Sequence, residues 1–102
     1  MFYLVDNLNI DHFDTDCNIS IKSVSSEHVV NQIIYNIQSV FAVHNSSTAE
    51  FLSKLLNRQV VYNSYYIRPR PGDVIYYCKC LSDGMMFWKK VIVESSLEEQ
   101  KT

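Results

Sequence analysis

The alternation of apolar and polar residues predicts strands at both ends of the chain. Phe2–Val5 is a short apolar run of strand-forming residues, which predicts a buried first strand. Residues 17–24 alternate between apolar and polar side chains, as expected of a second strand with one solvated face. Pro71 and Gly72 fit the central positions of a type II turn. The last third favours three further strands, which cover residues 65–67, 74–80 and 85–93.

Two amphipathic helices are predicted in the middle of the chain. The first follows the capping serines at 25–26, and residues 30–37 carry isoleucine and valine at the spacing of one helical face. Residues 39–45 break this pattern, so we expect a loop or a short extended piece at the edge of the sheet. The second helix follows a capping box at residues 47–50 and ends at Asn57, which tolerates the left-handed conformation.

This order of elements predicts an α+β fold, a five-stranded mixed sheet with two main helices packed against it. The chain has 102 residues, of which 47% are hydrophobic, so there is room for one domain with a thin core. We expect this single domain to cover residues 1–94. Residues 95–102 are polar and charged and are expected to form a C-terminal tail.

Composition excludes several classes of function. No apolar run approaches the roughly 18 residues of a membrane span. The net charge of −2 argues against broad binding to nucleic acid, and no duplex DNA partner is expected. The cysteines Cys17, Cys78 and Cys80 are odd in number and lack the usual zinc spacing, which favours buried, free thiols in a reducing cytoplasm and no bound metal. Phosphate-loop and dinucleotide motifs are missing, and no cofactor is expected.

The loop Val43–Ser47 is the strongest candidate for chemistry. It directly precedes the second predicted helix, and the N-terminus of a helix favours phosphate or another anion. His44 beside such a site can donate a proton near neutral pH. The alternative is that the loop only caps the helix. A cluster of tyrosines lies further along the sequence, at positions 62, 65, 66, 76 and 77. These rings either stack adenines or pack in strands and a dimer interface.

Residues 42–57, with Asn63, Ile67 and Gly72–Asp73 beyond them, resemble the viral ring nucleases. These are small type III anti-CRISPR proteins of archaeal viruses, phages and mobile elements. Their pattern is A-I-G-H-x-x-T-A-x-L-L-S-x-L-L-G, followed by N-R and a later G-D. Residues 2–7 also resemble the first strand of that family and the asparagine after it.

The resemblance implies a homodimer whose groove binds cyclic tetra-adenylate, the second messenger of type III CRISPR systems, in the host cytoplasm. It also implies cleavage of this RNA ring without metal, in which a ribose 2′-OH attacks the adjacent phosphate. A family histidine protonates the leaving 5′-oxygen, and arginines support the phosphates. Carried over to this chain, His44 would be the catalytic residue. The ligand-binding residues would be Asn7, Asn45, Ser46, Ser47, Thr48, Asn63 and Lys79.

The chain departs from the family pattern within this site. Aligned without a gap from Thr48 backwards, Asn45 takes the place of the family histidine and His44 that of the glycine. One additional loop residue restores His44 to the catalytic position, whereas asparagine cannot act as a general acid. Ser64 replaces one arginine, and Lys79 is the nearest cation to the other; a lysine meets phosphate without bidentate geometry.

The sequence therefore predicts a ring-nuclease-like anti-CRISPR protein that binds and cleaves a cyclic oligoadenylate. Two alternatives stay open. One is a noncatalytic sponge that sequesters the messenger. The other is a small viral dimer that binds a host protein through its aromatic surface.

Overall fold

The computed structural model describes residues 2–8, 13, 17–35, 38–80 and 85–95. Its elements, in chain order, are β1 (Phe2–Val5), β2 (Cys17–Val24), α1 (Ser26–Tyr35), β3 (Val40–Ala42), α2 (Ser46–Leu56), β4 (Val74–Cys80) and β5 (Met86–Ser95). The predicted turn at residues 81–84, Ile37 of the first predicted helix and positions 96–102 of the predicted tail lie outside the described residues. β5 runs to Ser95, one residue past the predicted end of the domain.

The five strands form one mixed sheet in the order β2-β5-β4-β1-β3. β1 pairs in parallel with both β3 and β4, while β5 pairs antiparallel with both β4 and β2. The α+β class, the mixed five-stranded sheet and the two helices are therefore confirmed. Neither helix within the described ranges is long and apolar enough to cross a membrane.

The predicted strand at residues 65–67 was wrong. Residues 59–70, all of which the structure describes, follow an irregular path without a strand. β4 already pairs with β1 on one side and β5 on the other, so neither edge is open for the predicted hairpin partner. The fifth strand is instead β3, the short extended piece expected at the edge of the sheet. The turn before β4 forms as predicted, with Gly72 at φ +97° and the Asp73 N–H donating to the Arg70 carbonyl at 3.0 Å.

Each face of the sheet carries its own apolar cluster. On the helix side the buried residues include Leu4, Val29, Ile33, Val43, Leu52, Tyr76 and Trp88. The Trp88 indole N–H is satisfied there by the Ser26 hydroxyl at 2.8 Å. On the opposite side the buried residues are Val5, Ala42, Ile67, Ile75, Val91 and Val93. The irregular segment, residues 59–70, thus contributes Ile67 to the core. It covers part of the second face of the sheet without forming a strand.

Candidate functional site

A cleft lies where the carboxyl ends of β1 and β4 meet the beginning of α2. Parallel strands bring their carboxyl ends to one edge of a sheet, and such edges are common ligand sites in folds with parallel strands. The cleft has a volume of about 260 Å³. Its lining comprises Asp6, Asn45, Ser47, Thr48, Cys78, Lys79 and Cys80. Four of the sequence-predicted site residues, at positions 45, 47, 48 and 79, are therefore brought together here.

Asp6 fixes the loop that enters α2. Its two carboxylate oxygens accept the backbone N–H of His44 at 3.0 and 3.1 Å, and one of them also accepts the N–H of Asn45 at 3.0 Å. The carboxylate thus sits next to the N-terminus of α2, where the helix dipole favours negative charge. Sequence reasoning missed this residue, although an acidic side chain directly after a buried strand was a usable signal.

Asn45 is the N-cap of α2. Its side-chain oxygen accepts the backbone N–H of Ser47 at 2.8 Å and of Thr48 at 3.3 Å. The N-cap therefore lies two residues before Ser47, where the predicted capping box would begin, and the Asp6 carboxylate accepts the N–H of Asn45, which has the extended conformation that an N-cap requires. The predicted left-handed end of the helix at Asn57 is confirmed, with φ 51° and ψ 42°.

These contacts change which groups can face a ligand. The backbone N–H groups of residues 44, 45, 47 and 48 already donate to Asp6 or to Asn45. The sequence-based expectation that these N–H groups hold a phosphate therefore needs correction. What the cleft offers instead are the amide and hydroxyl side chains of Asn45, Ser47 and Thr48, with Lys79 among its lining residues.

The His44 ring packs against the irregular segment. Its Nε2 donates to the Tyr65 carbonyl oxygen at 2.7 Å, and its ring centroid lies 4.6 Å from that of Tyr66 at an interplanar angle of 58°. The next residue along, Asn45, contributes to the cleft. The loop therefore presents the asparagine, as the ungapped alignment predicts.

Asn63 joins the irregular segment to β3 and to the residue that follows β3. Its backbone N–H donates to the Val43 carbonyl at 2.7 Å, and its side-chain amide donates to the Phe41 carbonyl at 3.0 Å. Its side-chain oxygen accepts the Tyr65 N–H at 2.9 Å. Asn63, predicted as a ligand-binding residue, thus covers the free edge of β3 and anchors the segment that contacts His44.

The remaining predicted ligand residues lie at the rim. Lys79 is exposed and is among the residues that line the cleft. Asn7 follows Asp6, and Ser46 is the first residue of α2; both are exposed next to lining residues.

The two thiols of the cleft differ in exposure. Cys78 is fully buried, and burial raises the pKa of its thiol well above the ordinary value. Cys80, two residues on and on the same face of β4, is exposed, contrary to the expectation of buried thiols. The Thr48 hydroxyl lies 4.0 Å from the Cys80 sulfur. Within the described ranges, no group of three histidine, cysteine or acidic side chains is placed to hold a metal ion.

The tyrosine cluster divides into two parts. Tyr76 is buried on β4, stacks on Phe2 with ring centroids 6.2 Å apart, and has its pKa raised by burial. Tyr62, Tyr65 and Tyr66 lie on the irregular segment and are exposed. Only the strand residues therefore follow the expected role in sheet packing.

The mixed sheet, its two helices and the open cleft together define a small α+β protein with a cleft at its strand ends. The sequence model of the STIV B116-like family matches residues 2–85, so the chain belongs to the STIV B116-like family, a family of small archaeal viral proteins.

A solved structure supports the same fold. The chain is similar to B116 of Sulfolobus turreted icosahedral virus, with a TM-score of 0.75 and 14% sequence identity. The match covers 89% of this chain and 97% of B116. At this identity the likeness shows the fold alone. No curated protein matches the sequence.

Proposed function

We propose that the protein binds a cyclic oligoadenylate at the cleft and sequesters it. The observation that carries this proposal is the convergence of Asn45, Ser47, Thr48 and Lys79 on one cleft. Amide, hydroxyl and ammonium groups are the side chains that proteins commonly direct at nucleic-acid phosphates and sugars. The resemblance to the viral ring nucleases supports cyclic tetra-adenylate as the ring.

The size of the cleft favours two copies of the chain per ring. Its 260 Å³ falls below the roughly 300–1,000 Å³ of pockets that enclose drug-sized ligands, and a tetranucleotide is larger still. A homodimer that joins two clefts through a two-fold axis would present the same contacts to both halves of a symmetric ring. We therefore include the homodimer in the proposal.

The charges of the cleft are nearly balanced. Lys79 attracts a phosphodiester, while the carboxylate of Asp6 repels it; the two backbone N–H groups that donate to Asp6 partly offset its negative charge. Affinity should therefore depend on Lys79 and fall with added salt.

The arrangement supports binding better than cleavage. Ring cleavage requires an acid that protonates the leaving 5′-oxygen. His44 has this chemistry, but its Nε2 is engaged by the Tyr65 carbonyl, and Asn45 in the cleft has no titratable proton. Sequestration is therefore the activity that we assign first.

Cleavage by His44 is the second candidate. A hydrogen bond to the Tyr65 carbonyl, of about 1 kcal/mol, and the contact with the Tyr66 ring hold its ring, and the residue directly precedes Asn45. Exchange of that bond for one to the ligand would bring a proton donor to the cleft.

The experiment is a titration of the purified chain with cyclic tetra-adenylate at two salt concentrations. Lys79→Ala should weaken binding about 10-fold and flatten its salt dependence, whereas Lys79→Arg should retain both. Lys22→Ala is the matched control, because Lys22 is exposed on β2 at the far edge of the sheet and should leave affinity unchanged. Equal affinity in the wild type and Lys79→Ala would contradict the proposed site.

A further inference from the structure

The irregular segment crosses the free edge of β3 and carries exposed aromatic side chains. Val60, near its start, is buried in the apolar cluster on the helix side of the sheet, and Ile67 is buried in the cluster on the opposite face. The residues between these two anchors, 61–66, are all exposed. Tyr62 is 57% exposed and Tyr65 is 51% exposed. The segment is therefore held on both faces of the sheet while these two tyrosines lie at the surface.

Residues 68–71 continue the segment with the sequence Arg-Pro-Arg-Pro. A residue that precedes proline is restricted to extended backbone, and proline fixes its own φ, so both arginines lie on stiff main chain. Pro69 is fully buried, whereas Arg68 and Arg70 are exposed. The Arg70 N–H donates to the Asp73 carboxylate at 2.8 Å, which joins this end of the segment to the turn before β4. The two arginines are therefore presented to solvent from a fixed backbone.

The same part of the chain is locally basic. Residues 51–72 contain no aspartate or glutamate and include all three arginines of the protein. Lys54 pairs with Glu50, and neither Arg68 nor Arg70 forms an ion pair with any residue that the structure describes. The chain as a whole has 11 acidic and 9 basic side chains. The segment is thus a basic region on a protein with an excess of acidic residues.

We propose that Tyr62, Tyr65, Arg68 and Arg70 form a docking surface, which we call the Tyr–Arg surface, for an acidic segment of another protein. Tyrosine and arginine are enriched among the residues that contribute most binding energy at protein interfaces. A surface on fixed main chain loses little conformational entropy on binding, and its positive charge selects an acidic partner. The inference goes beyond the proposed function, because none of these four residues is among those that line the cleft.

A short acidic segment suits the Tyr–Arg surface better than a nucleic acid or a second copy of the chain. A nucleic-acid strand would extend beyond the two arginines onto a protein with an excess of acidic residues, which repel it. A two-fold axis through this surface would bring the arginines of one copy next to those of the other. An acidic segment a few residues long meets the local charge and avoids both kinds of repulsion.

The test is a titration of the purified chain with a random copolymer of glutamate and tyrosine, and in parallel with poly-L-glutamate. The copolymer should bind more tightly, because aromatic contacts add to the charge attraction. Joint Arg68→Gln and Arg70→Gln changes should weaken copolymer binding about 10-fold. Joint Lys22→Gln and Lys90→Gln changes are the matched control, because they remove the same charge from β2 and β5. This control should leave the affinity unchanged.

The aromatic part of the surface is tested separately with Tyr62 variants. Tyr62→Ala should weaken copolymer binding about 5-fold, whereas Tyr62→Phe keeps the ring and should retain most of the affinity. Tyr35→Ala is the matched control. Tyr35 is 84% exposed in the last turn of α1, and its loss should leave the affinity unchanged.

Each of the following results would overturn the inference. Equal losses in the arginine and lysine pairs would show that net charge alone decides binding. Full affinity in Tyr62→Ala, or poly-L-glutamate that binds as tightly as the copolymer, would remove the aromatic contact. Poly(U) RNA that binds more tightly than the copolymer would assign the surface to nucleic acid. A wild-type dimer that becomes a monomer in Tyr62→Ala would assign it to a second copy. Absence of copolymer binding by the wild type would contradict the docking surface itself.

Discussion

The Nε2 of His44 lies 2.7 Å from the main-chain carbonyl oxygen of Tyr65. A carbonyl only accepts, so this nitrogen carries the proton, and the ring is turned toward the irregular segment. The sequence allows two alignments of the loop before α2, which put either Asn45 or His44 at the position of the family histidine. The contact with Tyr65 distinguishes between them. With His44 at Tyr65, Asn45 both caps the helix and lines the cleft. The arrangement suits a protein that holds its ligand more than one that cleaves it.

Asp6 should be important for stability. Asp6→Ala removes the acceptor of the His44 and Asn45 N–H groups, and we expect the free energy of unfolding to fall by about 2 kcal/mol. Asp6→Asn keeps one accepting oxygen and should cost clearly less. Urea unfolding followed by Trp88 fluorescence measures both values. An Asp6→Ala protein within about 0.5 kcal/mol of the wild type would show that the loop does not depend on this carboxylate.

Cys78 should make the fold sensitive to alkali. Burial raises the pKa of its thiol above the ordinary value of 9.0, so the unfolded chain releases this proton at a lower pH than the folded chain. The contribution of this thiol to the free energy of unfolding is fully present below the ordinary pKa of 9.0. It is lost as the pH rises above 9.0, by up to about 1.4 kcal/mol per pH unit. Cys78→Val should remove this slope, as measured by urea unfolding between about pH 8 and 10.

Cys80→Ser provides the control for the alkaline series, because Cys80 is exposed and the variant keeps Cys78. It should unfold with the same dependence on pH as the wild type. A slope that persists in Cys78→Val would assign the alkaline effect to another group.

Alkylation of Cys80 should block the cleft. Its thiol is exposed and lines the cleft, so iodoacetate places a bulky anion where the proposal has a phosphate. We expect the treated protein to bind cyclic tetra-adenylate at least about 10-fold more weakly, with peptide mass spectrometry confirming the modified residue. Cys80→Ser treated in the same way should keep its affinity. Full binding by protein alkylated at Cys80 would place the ligand elsewhere.

The homodimer is tested by sedimentation velocity at micromolar concentration. A single dimer species is expected, since each cleft is too small for the ring and a thin core favours association. A strict monomer, both free and with ligand, would contradict the proposed groove shared by two copies of the chain.

The sequence predicted the number of strands but not the residues that supply the fifth one. Local pattern favoured residues 65–67 because they are aromatic and β-branched. The sheet instead uses Val40–Ala42, because β1 offers this segment a parallel partner and β4 has no open edge. Pairing between distant segments decides such cases, and local propensity does not contain that information.

The sequence likewise predicted only some of the residues of the candidate site. The polar loop before the predicted helix pointed to Asn45 and Ser47, and the resemblance to the viral ring nucleases added Thr48 and Lys79. Asp6 and the direction of His44 depend on contacts across 38 and 21 residues of sequence, so a reading of neighbouring residues could not supply them. The cleft itself follows from the parallel pairing of β1 with β4.

The most direct measurement is incubation of the wild type and His44→Ala with labelled cyclic tri-, tetra- and hexa-adenylates, with bound ring and linear product quantified together. We expect a stable complex with one of the rings, little linear product, and no change in turnover in His44→Ala. Rapid cleavage that falls by roughly 10²–10⁴-fold in His44→Ala would contradict sequestration and assign the general acid to that residue. Absence of both binding and product for every ring would contradict the proposed ligand altogether.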